Sequence, residues 1–231
     1  MPSDSIENYL KALYDLGRRG SPATTSALAK RLGISSASVT GMLRKLALKK
    51  PRWVIYEKSR GARLTPVGER QALKVIRHHR LIELFLYETL GLPWDEVHAE
   101  AERLEHAFSP NLVDRLARFL KNPATDPHGH AIPRKDGTLP RTRVVCLREL
   151  ALGIEARVSQ VSDEDSELLR YLAKLGMTPG ARVVVEEKAP FDGPLMIRIN
   201  DSPTTCAVSL RIAGDVYVFS PKGRKFSRPK K

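Results

Sequence analysis

His79 and Glu83 stand four positions apart, and His98, Glu102, Glu105 and His106 follow one another at spacings of four, three and one. On an α-helix, residues three or four apart share a face. The first pair therefore makes one imidazole–carboxylate face and the second group makes another. Two helices that each present such a face are how helical bundles build metal sites. The donors are oxygen and nitrogen, with no cysteine among them. That set suits Mn²⁺ or Fe²⁺ better than thiophilic ions, although affinity order alone favours Zn²⁺ or Cu²⁺. Taken singly, each face also reads as a salt-linked or solvated helix surface, and it is their succession on neighbouring helices that favours a metal. A metal-assisted hydrolase could use the same groups. No separate base, nucleophile or substrate-cradling loop stands near them in sequence, so an enzyme is not expected. His78 and Glu100 point off the two faces and read as surface, and His128 and His130, in a Pro/Gly-rich stretch, read as loop polar residues.

The elements that must position these groups can be read from periodicity and punctuation. Residues 4–16 carry Ile6, Leu10, Leu13 and Leu16 on one stripe and predict a helix ended by Gly17, Gly20 and Pro22. Thr24 or Thr25 caps a second helix, 26–32, with Gly33 as the turn, and Ser35 or Ser36 caps a third that runs to about Lys50. Residues 53–65 predict a β-hairpin with its tip at 58–61. Thr65-Pro66 opens a long helix through His79 and Glu83 to about Tyr87, and helices over 95–107 and 110–120 follow. Four prolines and two glycines fall within 121–142, Pro123 and Pro140 among them, and a linker is expected there. Beyond it, short runs at 143–147, 156–161, 182–187, 195–200, 207–212 and 215–219, with one helix over 164–175, predict a small β-barrel.

Residues 24–46 fit a helix-turn-helix. Leu28, Ala29 and Leu32 face inward on its first helix, Ile34 sits in the turn, and Val39, Leu43 and Leu46 are inward on the second. Ser35, Ser36, Ala37, Ser38 and Thr40 are then exposed at the start of the second helix, where small polar and methyl-bearing side chains can approach base edges in a major groove. Arg44 and Lys45, with Lys49 and Lys50, fall near phosphates, and Lys58, Arg60 and Arg63 make the hairpin a wing. An ordinary helical hairpin with a solvated basic face is the plain alternative. The charge distribution argues against it. The chain carries a formal net charge of +13, concentrated in residues 1–80 and in the basic tail Lys222–Lys231, a balance suited to the phosphate backbone. Between Glu83 and Glu105 the sign reverses, with Arg103 the one basic residue, and a bound cation would offset that repulsion. The composition excludes a disulfide framework, with two cysteines, and no apolar run reaches the length of a membrane span. With no signal-peptide profile at the N-terminus, a cytoplasmic protein is expected.

These residues resemble the diphtheria toxin repressor and manganese transport regulator family of metal-dependent transcriptional regulators. The resemblance is carried by Glu7-Asn-Tyr-Leu-Lys-Ala-Leu-Tyr-Asp-Leu16, the helix-turn-helix, Ile55-Tyr-Glu-Lys-x-Arg-Gly61, and Arg80-Leu-x-Glu-x-Phe-Leu86 after His79. Val97-His98, Glu105-His106 and Asp126-Pro-His-Gly-His-Ala-Ile-Pro133 extend it. Leu147-x-x-Leu-x-x-Gly153 with Leu175-Gly-Met-Thr-Pro-Gly180 is similar to the Src-homology-3-like barrel of ferrous-iron transport accessory proteins. The resemblance implies a mainly α chain in three parts: a winged helix-turn-helix (1–73), a helical dimerisation and metal domain (74–141, with the linker 121–141), and a small Src-homology-3-like β-barrel with its basic tail (142–231). It implies a homodimer that binds a palindromic operator in double-stranded DNA and regulates metal uptake, with no membrane association. One metal site would use His79, Glu83 and His98, completed by Gln160 and Asp163 or Glu164. The other would use Asn8, Glu102, Glu105 and His106, tying the first helix to the metal domain when the ion binds.

Glu102 stands where iron-responsive members carry a cysteine, which favours Mn²⁺, a carboxylate being the harder ligand. Manganese-responsive members, however, carry acids at the positions of Asn8 and Lys11, and a protonated lysine cannot ligate. The expected cofactor is Mn²⁺, with Fe²⁺ as the alternative. A winged-helix regulator of a non-metal signal is a further alternative.

Overall fold

The structure is a computed structural model and describes residues 4–18, 20–140 and 143–219. The basic tail singled out above lies outside the described residues. The chain divides into two compact units. The first comprises Met1–Ile82, Arg103–Arg118 and Ile132–Leu139, and the second comprises Glu83–Glu102, Phe119–Ala131 and Pro140–Lys231.

In the first unit, helix α1 (Asp4–Gly17) packs its apolar stripe with α2 (Thr25–Leu32) and α3 (Ser36–Leu48). Leu10, Leu28, Val39, Leu43 and Leu46 are fully buried there, each burial stabilising the fold by roughly 1.5–3 kcal/mol. The two helix starts are capped as their sequences require. The Thr24 hydroxyl accepts from the Ala27 amide and the Ser35 hydroxyl from the Ser38 amide, each at 3.1 Å, occupying donors that the first helical turn cannot bond internally. An antiparallel hairpin follows, β1 (Val54–Glu57) with β2 (Gly61–Leu64). Its return depends on Gly61, whose φ is 93° and where a Cβ would lie 2.5 Å from the Ala23 carbonyl oxygen. Ala23 and Ala62 are bridged by two 2.8 Å backbone hydrogen bonds. Thr65 then caps α4 (Pro66–Glu88), accepting from the Gly68 amide while its hydroxyl donates to the Arg52 carbonyl. Most of α5 (Val97–Leu104) belongs to the second unit, while helix α6 (Pro110–Phe119) starts after Ser109, whose hydroxyl accepts from the Leu112 amide.

The second unit holds a six-stranded antiparallel sheet. Its strands are β3 (Val144–Cys146), β4 (Glu155–Val161), β5 (Arg182–Lys188), β6 (Leu195–Ile199), β7 (Thr205–Val208) and β8 (Val216–Phe219), in the order β3-β8-β4-β5-β6-β7. Among the described residues the edge strands β3 and β7 do not pair with each other, so the sheet is open and the expected closed barrel is corrected. Helix α7 (Ser166–Lys174) contributes Leu169 and Leu172 to a core with Val158, Val183, Ile197 and Val218. The strand expected over 207–212 is also corrected: it ends at Val208, and α8 (Leu210–Gly214) begins after Ser209, whose hydroxyl accepts from the Ile212 amide. The apolar run Ala207-Val-Ser-Leu-Arg-Ile212 fits either period, and the serine cap settles it for a helix.

Candidate metal centres and DNA-reading helix

Each unit gathers its own cluster of ligand-type side chains. In the second unit, Glu83 projects from α4 and is fully buried, while His98 and Glu102 sit one turn apart on α5. His98 Nδ1 lies 3.0 Å from Glu83 Oε1 and 3.6 Å from Asp163 Oδ2, and its Nε2 lies 3.7 Å from Glu102 Oε1. Asp163 follows β4, two residues beyond its end. The half-buried Gln160 lies on β4 itself, opposite Tyr217 of β8.

Sequence reasoning missed the segment that packs between these groups. Asp126 Oδ1 accepts from the amides of both His128 and His130, at 2.9 and 3.0 Å, an Asx-type turn that folds the loop back on itself. The Val161 amide donates to the His128 carbonyl at 3.0 Å. Gly129 (φ 87°) crosses so close to β4 that a Cβ there would fall 2.0 Å from the Ser159 carbonyl oxygen. His128 is consequently fully buried, not a loop polar residue, and Asp126 is buried with it.

The His128 ring shows what this packing achieves. Its Nε2 lies 2.7 Å from the Trp94 carbonyl oxygen. A carbonyl only accepts, so the neutral ring carries its proton on Nε2 and leaves a lone pair on Nδ1. That Nδ1 is buried with no hydrogen-bond partner among the described residues, and it faces Glu83 Oε1 at 3.9 Å. Ligand atoms of Glu83, His128 and Asp163 all lie within 4.8 Å of one another. Buried oxygen and nitrogen lone pairs that converge in this way are an arrangement a cation satisfies.

Charge around the cluster is partly compensated by the protein. His130 Nδ1 lies 3.4 Å from Asp163 and 3.5 Å from Asp126. Burial alone would lower the His130 pKa, yet these two carboxylates outweigh it and push it up to about 10. Burial likewise opposes ionisation of Asp163, and the charge and hydrogen bond of His130 hold its carboxyl well below the usual range.

The first unit contains a different cluster. His79 Nδ1 on α4 lies 2.6 Å from Glu105 Oε2. Lys11 of α1 donates to both oxygens of the same carboxylate, at 2.9 and 3.1 Å. His106 Nδ1 lies 2.8 Å from Glu7 Oε2 and its Nε2 3.0 Å from Asn8 Oδ1, both on α1. Of the residues expected in the second metal site, Asn8, Glu105 and His106 are thus neighbours here, and Glu102 stands one turn before them on α5, beside His98. Glu7 was not singled out from sequence as a site residue, although it heads the motif that carried the family resemblance. His78, read as surface, is half-buried, and burial lowers its pKa.

The expected DNA-reading residues occupy one exposed stretch. Ser35 caps α3, and Ser36, Ala37 and Ser38 of its first turn are exposed, with Thr40 half-buried. The Thr40 hydroxyl donates back to the Ser36 carbonyl at 2.9 Å. Arg44 and Lys45 are exposed further along α3, and Lys58 and Arg60 at the tip of the β1–β2 hairpin.

Comparison with known proteins decides what this combination belongs to. Residues 1–62 match the family described as "Iron dependent repressor, N-terminal DNA binding domain", and residues 65–134 match "Iron dependent repressor, metal binding and dimerisation domain". The "Iron-dependent repressor IdeR" of Mycobacterium leprae (strain TN) is 34% identical over 195 residues, covering 79% of this chain and 84% of that protein. The chain belongs to the diphtheria toxin repressor family. This family of metal-dependent DNA-binding repressors includes manganese regulators as well. The "HTH-type transcriptional regulator MntR" of Lysinibacillus sphaericus (strain C3-41) is 34% identical over 121 residues, 52% of this chain and 85% of that protein. A solved "Manganese-dependent transcriptional repressor complex with manganese" superposes with a TM-score of 0.85 at 34% identity, over 94% of this chain and all of that one. Residues 145–219 of this family member match the "FeoA domain", the accessory fold that the sequence resemblance pointed to. No helix among the described residues is long and apolar enough to cross a membrane.

Proposed function

We propose that this repressor-family member is a manganese-responsive regulator of metal-uptake genes, acting in the cytoplasm as a homodimer on a palindromic operator. The observation that carries the reading is the all-oxygen-and-nitrogen cluster in which Glu83 and Asp163 face the lone pair of buried His128 Nδ1. Carboxylate and imidazole donors without a thiolate favour Mn²⁺ and leave Fe²⁺ as the competitor.

The Glu83, His128 and Asp163 side chains, with His98 beside them, would hold the ion. The sequence expectation adds His79, one turn before Glu83 on α4, together with Gln160. A bound divalent cation would supply the positive charge that lets Glu83 and Asp163 approach without repulsion. The chain's own residues do the rest. The Trp94 carbonyl fixes the His128 tautomer, Asp126 shapes the loop, and Gly129 lets that loop lie against β4. Ser35, Ser36, Ala37, Ser38 and Thr40 read the major groove, while Arg44, Lys45, Lys58 and Arg60 neutralise phosphates. The division into parts at 1–73, 74–141 and 142–231 is retained as the working domain organisation.

Operator binding titrated against free Mn²⁺, anaerobic Fe²⁺, Co²⁺ and Zn²⁺ tests the assignment. Mn²⁺ is expected to promote binding at free concentrations where Fe²⁺ does not. Activation by Fe²⁺ at lower free concentration than Mn²⁺ would make the protein an iron-responsive repressor instead.

A further inference from the structure

The second metal site expected from the family resemblance does not fit the residues present. Glu105 is its central carboxylate and is completely buried, and Lys11, whose side chain is 12% exposed, grips both of its oxygens. His79 occupies Oε2 as well, at 2.6 Å. The two nitrogens of His106 face Glu7 and Asn8 of α1. Side-chain contacts thus run through the whole cluster.

We infer that Lys11 is the resident cation of the Glu105 cluster, so that α1 is fastened there by a built-in ammonium and the protein's metal response rests on one divalent ion per chain. Lys11, Glu7 and Asn8 lie on one face of α1, at spacings of one, three and four, and all three reach the Glu105–His106 pair. An ammonium on a buried carboxylate supplies charge neutralisation and directed hydrogen bonds together. A divalent ion entering the same carboxylate would meet that fixed positive charge at close range, where water does not screen it. The net lowering of the Glu105 pKa agrees with this: burial would raise it, but the His79 hydrogen bond and the Lys11 charge prevail.

The inference rests on the metal-sensing assignment of the Glu83 cluster, and its test separates the two. Mn²⁺ bound per chain is counted by equilibrium dialysis with elemental analysis, and by electron paramagnetic resonance of the free ion, on full-length wild-type protein, Glu105→Gln and Lys11→Met. Wild type and Glu105→Gln are expected to hold one ion each. Lys11→Met, with the ammonium removed, is expected to hold two. Two ions on wild type with one lost in Glu105→Gln would overturn the inference, and this comparison does not depend on Lys11→Met folding. A folded Lys11→Met that still holds one ion would overturn it too. No ion on wild type but one on Lys11→Met would uphold the role of Lys11 and remove the Glu83 site.

Discussion

His130 sits between Asp126 and Asp163, whose carboxylates push its pKa up to about 10. The folded value lies above the ordinary 6.5 of an exposed histidine. Its stabilising contribution is therefore complete below about pH 6.5 and is lost as pH rises through about 10. Chelated wild-type protein should lose stability across that window in urea titrations, and His130→Gln should flatten the loss. A His130→Gln profile parallel to that of wild type would refute the assignment. Glu105 acts at the other end of the scale. Its folded pKa is depressed, so its contribution is present above about pH 4.5 and disappears as pH falls through the folded value.

At the scale of elements, the proposed function divides the work of reading DNA between α3 and the β1–β2 hairpin. The first turn of α3 carries short side chains able to come close to bases, whereas Lys58 and Arg60 on the hairpin tip and Arg44 on α3 carry charge but little shape information. Replacing Lys58 or Arg60 by alanine should lower the slope of log affinity against log salt by about 0.9 each and weaken binding evenly across operator variants. Fluorescence anisotropy over a salt series checks this; an unchanged slope would place the wing away from the backbone. These elements were legible in the sequence because each carries its own local instruction: Thr24 and Ser35 cap, and the spacing of Val39, Leu43 and Leu46 sets the inward face. The faces bearing His79, Glu83, His98 and Glu102 were legible for the same reason. His128 was not. Its role depends on Gly129 passing the Ser159 carbonyl and on a carbonyl of Trp94 distant in sequence, and Pro127 and Gly129 on either side resemble ordinary loop punctuation. The one available signal was Asp126-Pro-His-Gly-His130, an Asx turn that aims two imidazoles in fixed directions. Lys11 was recognised as unable to ligate, but its contact with Glu105 is a tertiary fact that no spacing reveals. The edge strands β3 and β7 were likewise beyond reach, since alternation marks strands and not whether a sheet closes.

On the scale of the whole molecule, the proposed response couples DNA binding to a buried ligand cluster through a single physical event, the neutralisation of converging carboxylates. Couplings of this kind typically change affinity by about 5–150-fold, and the ion acts by favouring one arrangement of the protein, not by touching DNA. The most direct measurement is anisotropy of a palindromic operator, selected from random-sequence DNA by the Mn²⁺-loaded protein, titrated with wild type and Glu83→Gln in saturating Mn²⁺ and again in chelator. The account predicts that Mn²⁺ tightens wild-type binding within that range and that Glu83→Gln binds with chelator-like affinity in both conditions. Equal wild-type affinity with and without Mn²⁺, or a full metal response in Glu83→Gln, would contradict it.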